Sequence, residues 1–173
     1  MIKKLLATAA VAALFATPAV AGTLVDPVVE PAPVMPVYEP ETDWSGFYAG
    51  VGGMFGIVGP NQDFGIGAQV GYLHDMGDVV LGGELSYNYV FTPAGHHVVG
   101  LDALLGYDAG MVMPFVTAGG TYVAPTNIWG WSLGAGLSVK ATDNVILTGR
   151  YRYSNFGLPN DLHQIMVGVS YQF

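Results

Sequence analysis

Gln164-Ile165-Met166-Val167-Gly168-Val169-Ser170-Tyr171-Gln172-Phe173 closes the sequence. Ile165, Val167, Val169, Tyr171 and Phe173 alternate with Gln164, Met166, Gly168, Ser170 and Gln172. A period of two marks a β-strand, here with one apolar face and one face that is mostly small or polar. A closing strand in a water-soluble domain usually frays or ends in polar residues. This one ends on an aromatic residue in the apolar phase.

The same pattern recurs upstream. From Trp44 onward, period-two segments separated by turn residues predict eight strands, at about 44–56, 63–74, 78–91, 96–108, 111–123, 128–140, 143–154 and 163–173. Each is long enough to cross a bilayer as a tilted strand, which takes ~9–11 residues. The connections alternate. Segments 74–78, 108–110 and 141–144 carry Gly, Asp or Asn where tight turns need them. Ile57 to Gln62, Thr92 to Gly95, Ala124 to Asn127 and Asn155 to Leu162 are expected to be the longer links.

The two faces differ in kind. One carries Phe64, Ile66, Val70 and Tyr72; Leu81, Leu85, Tyr87 and Tyr89; Leu101, Leu105 and Tyr107; Trp131, Leu133 and Leu137; Leu147, Tyr151 and Tyr153. The other carries Gly65, Gly67, Gln69 and Gly71; Gly82, Glu84, Ser86 and Asn88; Gly100, Asp102 and Gly106; Gly134, Gly136 and Ser138; Arg150 and Arg152. The second face is too poor in charge to be a water-facing exterior and is expected to line a narrow lumen. Trp44, Tyr72, Tyr89, Tyr107, Tyr122, Trp131 and Phe173, near strand ends, are expected to form interfacial girdles.

Composition points the same way. Charged residues make up 10% of the chain, against ~25% in typical soluble domains. Mean hydropathy is +0.44. Yet beyond the N-terminal region there is no apolar run of the ~18 residues that a transmembrane helix requires. Only a closed barrel then satisfies every backbone polar group in lipid. The fold predicted is all-β: an eight-stranded antiparallel, up-and-down transmembrane barrel over 44–173.

The N-terminus reads as a secretory signal over 1–21. Lys3 and Lys4 precede the apolar stretch Leu5–Ala16, and Ala19-Val20-Ala21 fits a small-residue cleavage site. Residues 22–43 are Pro-rich and acidic, and are expected to be an extended, flexible spacer on the periplasmic side. Beyond Ala21 only Lys140, Arg150 and Arg152 oppose thirteen acids, so nucleic acid is not an expected partner. There is no cysteine, which excludes disulfides and thiolate metal sites.

Trp44-Ser45-Gly46-Phe47-Tyr48-Ala49-Gly50-Val51-Gly52-Gly53 resembles the first strand of small Gram-negative outer-membrane barrels, the porin-like or OmpA-like surface-antigen family. Gly65–Tyr72, Gly82-Gly83-Glu84, Pro114–Gly120, Tyr151-Arg152-Tyr153 and Tyr171-Gln172-Phe173 extend the resemblance from Trp44 to Phe173. Tyr171 and Phe173 resemble the insertion signal that the outer-membrane assembly machinery reads. The resemblance implies residence in the outer membrane among lipids and lipopolysaccharide. It does not imply one activity, nor the peptidoglycan-binding domain that OmpA adds to its barrel. A monomer is expected, and no cofactor.

Three groups are candidates for chemistry. Glu84, Asp102, Lys140, Arg150 and Arg152 share the inner face and are expected to form a lumen ion-pair network, since buried charges need partners; an ion path is the alternative. Arg150–Asn155 followed by Leu158-Pro159-Asn160 is similar to the active-site region of outer-membrane lipid A deacylases. That family places a His two residues before its nucleophilic Ser, whereas Arg152 precedes Ser154 here, and Arg is no base near neutral pH. His96, His97 and His163 lie near outer links. His96 and His97 are expected to point apart and to be surface residues, with metal or haem capture as the alternative. Pro114 is expected near a strand start, since it lacks a ladder donor. The expected role is structural, without catalysis; a lipid A-modifying enzyme and a small channel are the rivals.

Overall fold

The computed structural model describes residues 42–93, 95–124, 126–157 and 161–173. The expected signal peptide, its cleavage site, nearly all of the Pro-rich segment and Leu158-Pro159-Asn160 lie outside them. Eight strands follow one another: β1 (Gly46–Val58), β2 (Asn61–Asp75), β3 (Val79–Val90), β4 (His96–Tyr107), β5 (Val112–Ala124), β6 (Ile128–Lys140), β7 (Val145–Asn155) and β8 (Leu162–Gln172). Each pairs antiparallel with its neighbour, and β8 pairs back onto β1 to close a barrel. Closure leaves no unpaired edge, which a hydrocarbon surrounding demands.

The register fixes the stagger of the barrel. Stepping between paired residues leads from Gly46 to Leu73, Gly82, Leu104, Thr117, Gly134, Arg152 and Gln164, and returns to β1 at Gly56. The return point lies ten residues beyond the start. Such stagger forces the strands to tilt by about 35–45° from the axis. Tilted strands of 11 to 15 residues cover the ~25 Å apolar band of an outer-membrane barrel.

The outward face is apolar and exposed: Val51, Ile66, Val70, Leu85, Leu101, Leu133, Leu147 and Val167 all stand out from the wall. A continuous belt of this size marks a lipid-facing surface. Aromatic rings edge it. At the end that carries Phe173, Phe47 packs on Tyr72 at 4.8 Å and Tyr171 on Phe173 at 5.2 Å. At the far end, Tyr122 packs on Trp129 at 4.7 Å and Trp131 on Tyr153 at 5.4 Å. Pro114 faces outward in β5, beyond the last residue that β4 pairs, so its missing N–H falls where β5 has a partner on one side only.

Three expectations are corrected. Ile57 to Gln62 is not a longer link: β1 and β2 zip together up to Val58 and Asn61, leaving only Gly59 and Pro60 in the turn. Gly59 sits at φ 55°, a conformation glycine adopts without steric cost. Trp44 is neither a strand residue nor a girdle aromatic. It precedes β1 and is fully buried, at 0% exposure. The lumen is also less polar than its small-residue pattern implies. Toward the Phe173 end, Tyr48, Leu73, Val80, Leu104, Met113, Phe115 and Ile146 pack with Trp44 into an apolar plug.

Candidate functional site: the barrel lumen

The lumen is layered. Trp44 forms the floor. Its indole N–H reaches Asp108 Oδ1 (3.2 Å) and the Gly110 carbonyl (3.1 Å), and its backbone N–H donates to Asp75 Oδ2 (3.1 Å). Lys140 stands over the ring, 5.2 Å from its centroid, and donates to the Asp43 carbonyl oxygen. Lys140 therefore belongs to the floor, apart from the central charges with which the sequence grouped it. Its place at the last residue of β6 explains this, since the side chain is level with the turns.

Above the apolar plug lies a belt of charge. Glu84 and Asp102 are direct partners across β3 and β4. Like charges so placed repel, and two guanidiniums from β7 relieve them. Arg150 Nη1 donates to Glu84 Oε1 at 2.6 Å, and Tyr48 Oη donates to Glu84 Oε2 at 2.7 Å. Arg150 Nη2 reaches Gln69 Oε1 at 3.2 Å, and Gln69 Nε2 in turn reaches Ser170 Oγ at 3.0 Å. Arg152 pairs with Asp102, which also accepts from Ser132 Oγ at 2.8 Å. All four charged side chains are buried.

Glycines make room for these groups. A Cβ at Gly100 would stand 2.9 Å from Arg152 Nη1, and one at Gly119 would strike the Leu101 carbonyl and Asp102. Tyr48 and Ser132 complete the network without having been assigned to it from sequence. Ser132 shares the phase of Gly134, Gly136 and Ser138, so the alternation contained that signal. Tyr48 lies between Phe47 and Ala49 in a segment whose apolar residues occupy both phases.

Beyond the charges, Met54, Val90 and Val98 form a second apolar ring, flanked by Val123 and Met166. Within the barrel's middle, two small cavities of about 20 Å³ each border Arg150, one beside Asn88 and one beside Tyr48.

The histidines separate. His96 accompanies Thr92, with Thr92 Oγ1 2.8 Å from its Nδ1, while His97 lies outside with Tyr87 Oη 2.6 Å from its Nδ1. His163 repeats the second arrangement with Tyr151 Oη, also at 2.6 Å. Among the described residues no three His, Asp or Glu side chains are grouped to hold a metal ion. Ser154 is fully buried, facing inward, whereas His163 is exposed on the outside of the next strand. The barrel wall stands between them, so no Ser–His pair is assembled.

Residues 7–173 match the model of the outer membrane protein β-barrel domain. The chain belongs to this family. It is an outer-membrane barrel protein, and the belt of exposed apolar residues is its lipid surface. The 25 kDa outer-membrane immunogenic protein of Brucella ovis is 30% identical over 154 residues, covering 75% of this chain and 76% of that protein. The Yersinia pestis attachment invasion locus protein Ail superposes with a TM-score of 0.58 at 15% identity, over 75% of this chain and 99% of Ail. The outer-membrane enzyme PagL superposes with a TM-score of 0.57 at 16% identity, over 72% of this chain and 99% of PagL. At these identities Ail and PagL share the fold; neither likeness assigns an activity.

Proposed function

We propose that the protein is a structural barrel that contributes to the integrity and surface character of the outer membrane, without catalysis. The observation that carries this reading is the pair of ion bridges across the lumen. Glu84–Arg150 and Asp102–Arg152 tie one wall to another, and all four carboxylate oxygens are engaged, although the Nε–H of each arginine has no partner. The cavities beside them, at about 20 Å³, are each large enough for about one water. Steady conduction needs a continuous aqueous path, and this belt argues against one. Against the enzyme reading stand the burial of Ser154 and the placing of His163 on the opposite side of the wall.

The name of the Brucella relative supports a surface-exposed character for this chain as well. Outer-membrane phospholipid and lipopolysaccharide are its surroundings and partners. The assembly machinery reads the closing strand through Tyr171 and Phe173, and the barrel works as a monomer.

Deleting the gene should raise permeability of the outer membrane to a large hydrophilic antibiotic. Wild type and a Ser154→Ala, His163→Ala double variant should restore the barrier equally. Purified protein in bilayers containing lipopolysaccharide should show no steady conductance. Acyl-chain release from lipid A that depends on Ser154 and His163 would overturn the structural reading, as would a stable open channel.

A further inference from the structure

The far end of the lumen opens into a cavity of about 560 Å³. This volume is that of a small-molecule site, typically ~300–1,000 Å³. Its walls are mainly apolar, with Val98, Val123, Ile128 and Leu162 among them. Phe156 adds an aromatic wall, and a Cβ at Gly130 would come 2.5 Å from its ring. The absence of a side chain at Gly130 is therefore what lets the ring lie there.

At the base of this apolar well sit Met54 and Gln164. Gln164 is fully buried. Its Nε2 faces Met54 Sδ at 2.6 Å, and its Oε1 has no hydrogen-bond partner. A buried amide with an unpaired end is costly. Since the two ends of a Gln amide can be exchanged, the group that satisfies it must donate or accept as required. A hydroxyl does both. Below Gln164 the charged belt blocks the bore, so the cavity is a dead end. Its outer rim is polar, with Asn61, Gln62, Asp63, Thr92, Thr126 and His96, the last drawn to the lumen side and not onto the outer surface; the Asp63 carboxylate disfavours an anionic guest.

We propose that this cavity binds a small, neutral, mostly apolar molecule bearing one hydroxyl group, which enters from the outer side and, displacing the Met54 side chain that covers the amide, hydrogen-bonds Gln164. Nothing in the structural role proposed above requires such a site.

Benzyl alcohol and toluene serve as probes, titrated into methyl-labelled protein in phospholipid nanodiscs. Benzyl alcohol should give saturable shifts at the Val98, Val123, Ile128 and Leu162 methyls. Leu101 and Val167, on the lipid face, should drift without saturating as the probe enters the bilayer. Wild type should prefer benzyl alcohol over toluene about tenfold, the size of one good hydrogen bond. Gln164→Met, close in volume, should remove that preference; bilayer partitioning is common to both proteins and cancels in the comparison. Val98→Trp should fill the cavity and abolish saturation. Lumen and lipid-face methyls drifting together without saturation would overturn the site. Preference for the alcohol surviving in Gln164→Met would overturn the role given to the amide, and this variant reads out even if Val98→Trp does not fold.

Discussion

Arg150 Nη1 meets Glu84 Oε1 at 2.6 Å across the full width of the barrel, because β7 and β3 stand four places apart in a ring of eight strands. The pair is thus a cross-brace between opposite walls. Neither residue is near the other in sequence, in the strand order, or in any backbone ladder. Their meeting depends on the closure and stagger of the whole sheet.

This brace should be costly to break from one side. Glu84→Gln leaves the Arg150 guanidinium buried without its counter-charge, and such half-broken pairs typically lose about 3–5 kcal/mol. The Glu84→Met, Arg150→Met double variant removes both charges and should recover most of the loss. Denaturant midpoints of the refolded barrel, read by the gel-mobility difference between unheated and boiled samples, distinguish the two. Equal destabilisation of the single and double variants would show that packing, not charge pairing, dominates.

The inner glycines should be intolerant where outer ones are not. Gly119→Ala drives a methyl into the Leu101 carbonyl and Asp102, whereas a Cβ at Gly53 has no atom within 4 Å. Overpacking of this kind costs about 1–3 kcal/mol. Gly119→Ala should lower the unfolding midpoint measurably, while Gly53→Ala should leave it unchanged or slightly raised.

Gln172 and Phe173 are expected to fail differently. Gln172 Nε2 donates to the carbonyls of Trp44 (2.7 Å) and Ser45 (2.9 Å), binding the floor to the closing strand. Phe173 is 76% exposed and holds its place through a backbone N–H to the Phe47 carbonyl. Gln172→Ala should weaken the folded barrel by about 1–2 kcal/mol, the scale of lost buried hydrogen bonds, yet still reach the membrane. Phe173→Asp keeps those side-chain bonds but removes the closing aromatic, so its outer-membrane level should drop. Membrane levels of Phe173→Asp matching wild type would refute the insertion role.

The floor should respond to pH through Asp108. Burial pushes its carboxyl above the ordinary value of 3.8; the Gly110 N–H opposes this and the nearby Asp75 carboxylate adds to it. A raised folded-state pKa means that Asp108 stabilises when protonated. Its contribution is complete below about the unfolded value and is lost as pH rises through the folded one. Asp108→Asn retains an oxygen for Trp44 and Gly110 and cannot ionise. It should therefore be at least as stable as wild type at neutral pH, with any advantage vanishing in acid. Asp43 runs the other way, its carboxyl held low chiefly by the Ser45 backbone N–H and also by the Ser45 side chain. Midpoints at neutral and acidic pH for Asp108→Asn alone separate the two contributions.

The strand pattern was readable because it is local. Each side chain's face follows from its parity along one strand, so the inward phase of Glu84, Asp102, Arg150 and Arg152 follows from their neighbours. Lys140 shows where this stops. Parity gives its direction, but its height along the axis places it with Trp44 and Asp43. By sequence Trp44 fits a girdle, because aromatic rings near strand ends usually belong there, and only the open floor of a closed barrel gives it an interior to fill.

Alternation, turn chemistry and low charge thus determined a lipid-facing, eight-stranded sheet whose polar residues turn inward. Which inward residues meet was decided by the tertiary structure alone. A lumen contact joins strands several places apart, and its position sums every register shift around the ring, from Gly46 back to Gly56. A single strand holds no record of that sum. The bridges, the Trp44 floor and the well above Gln164 exist only once the ring is closed.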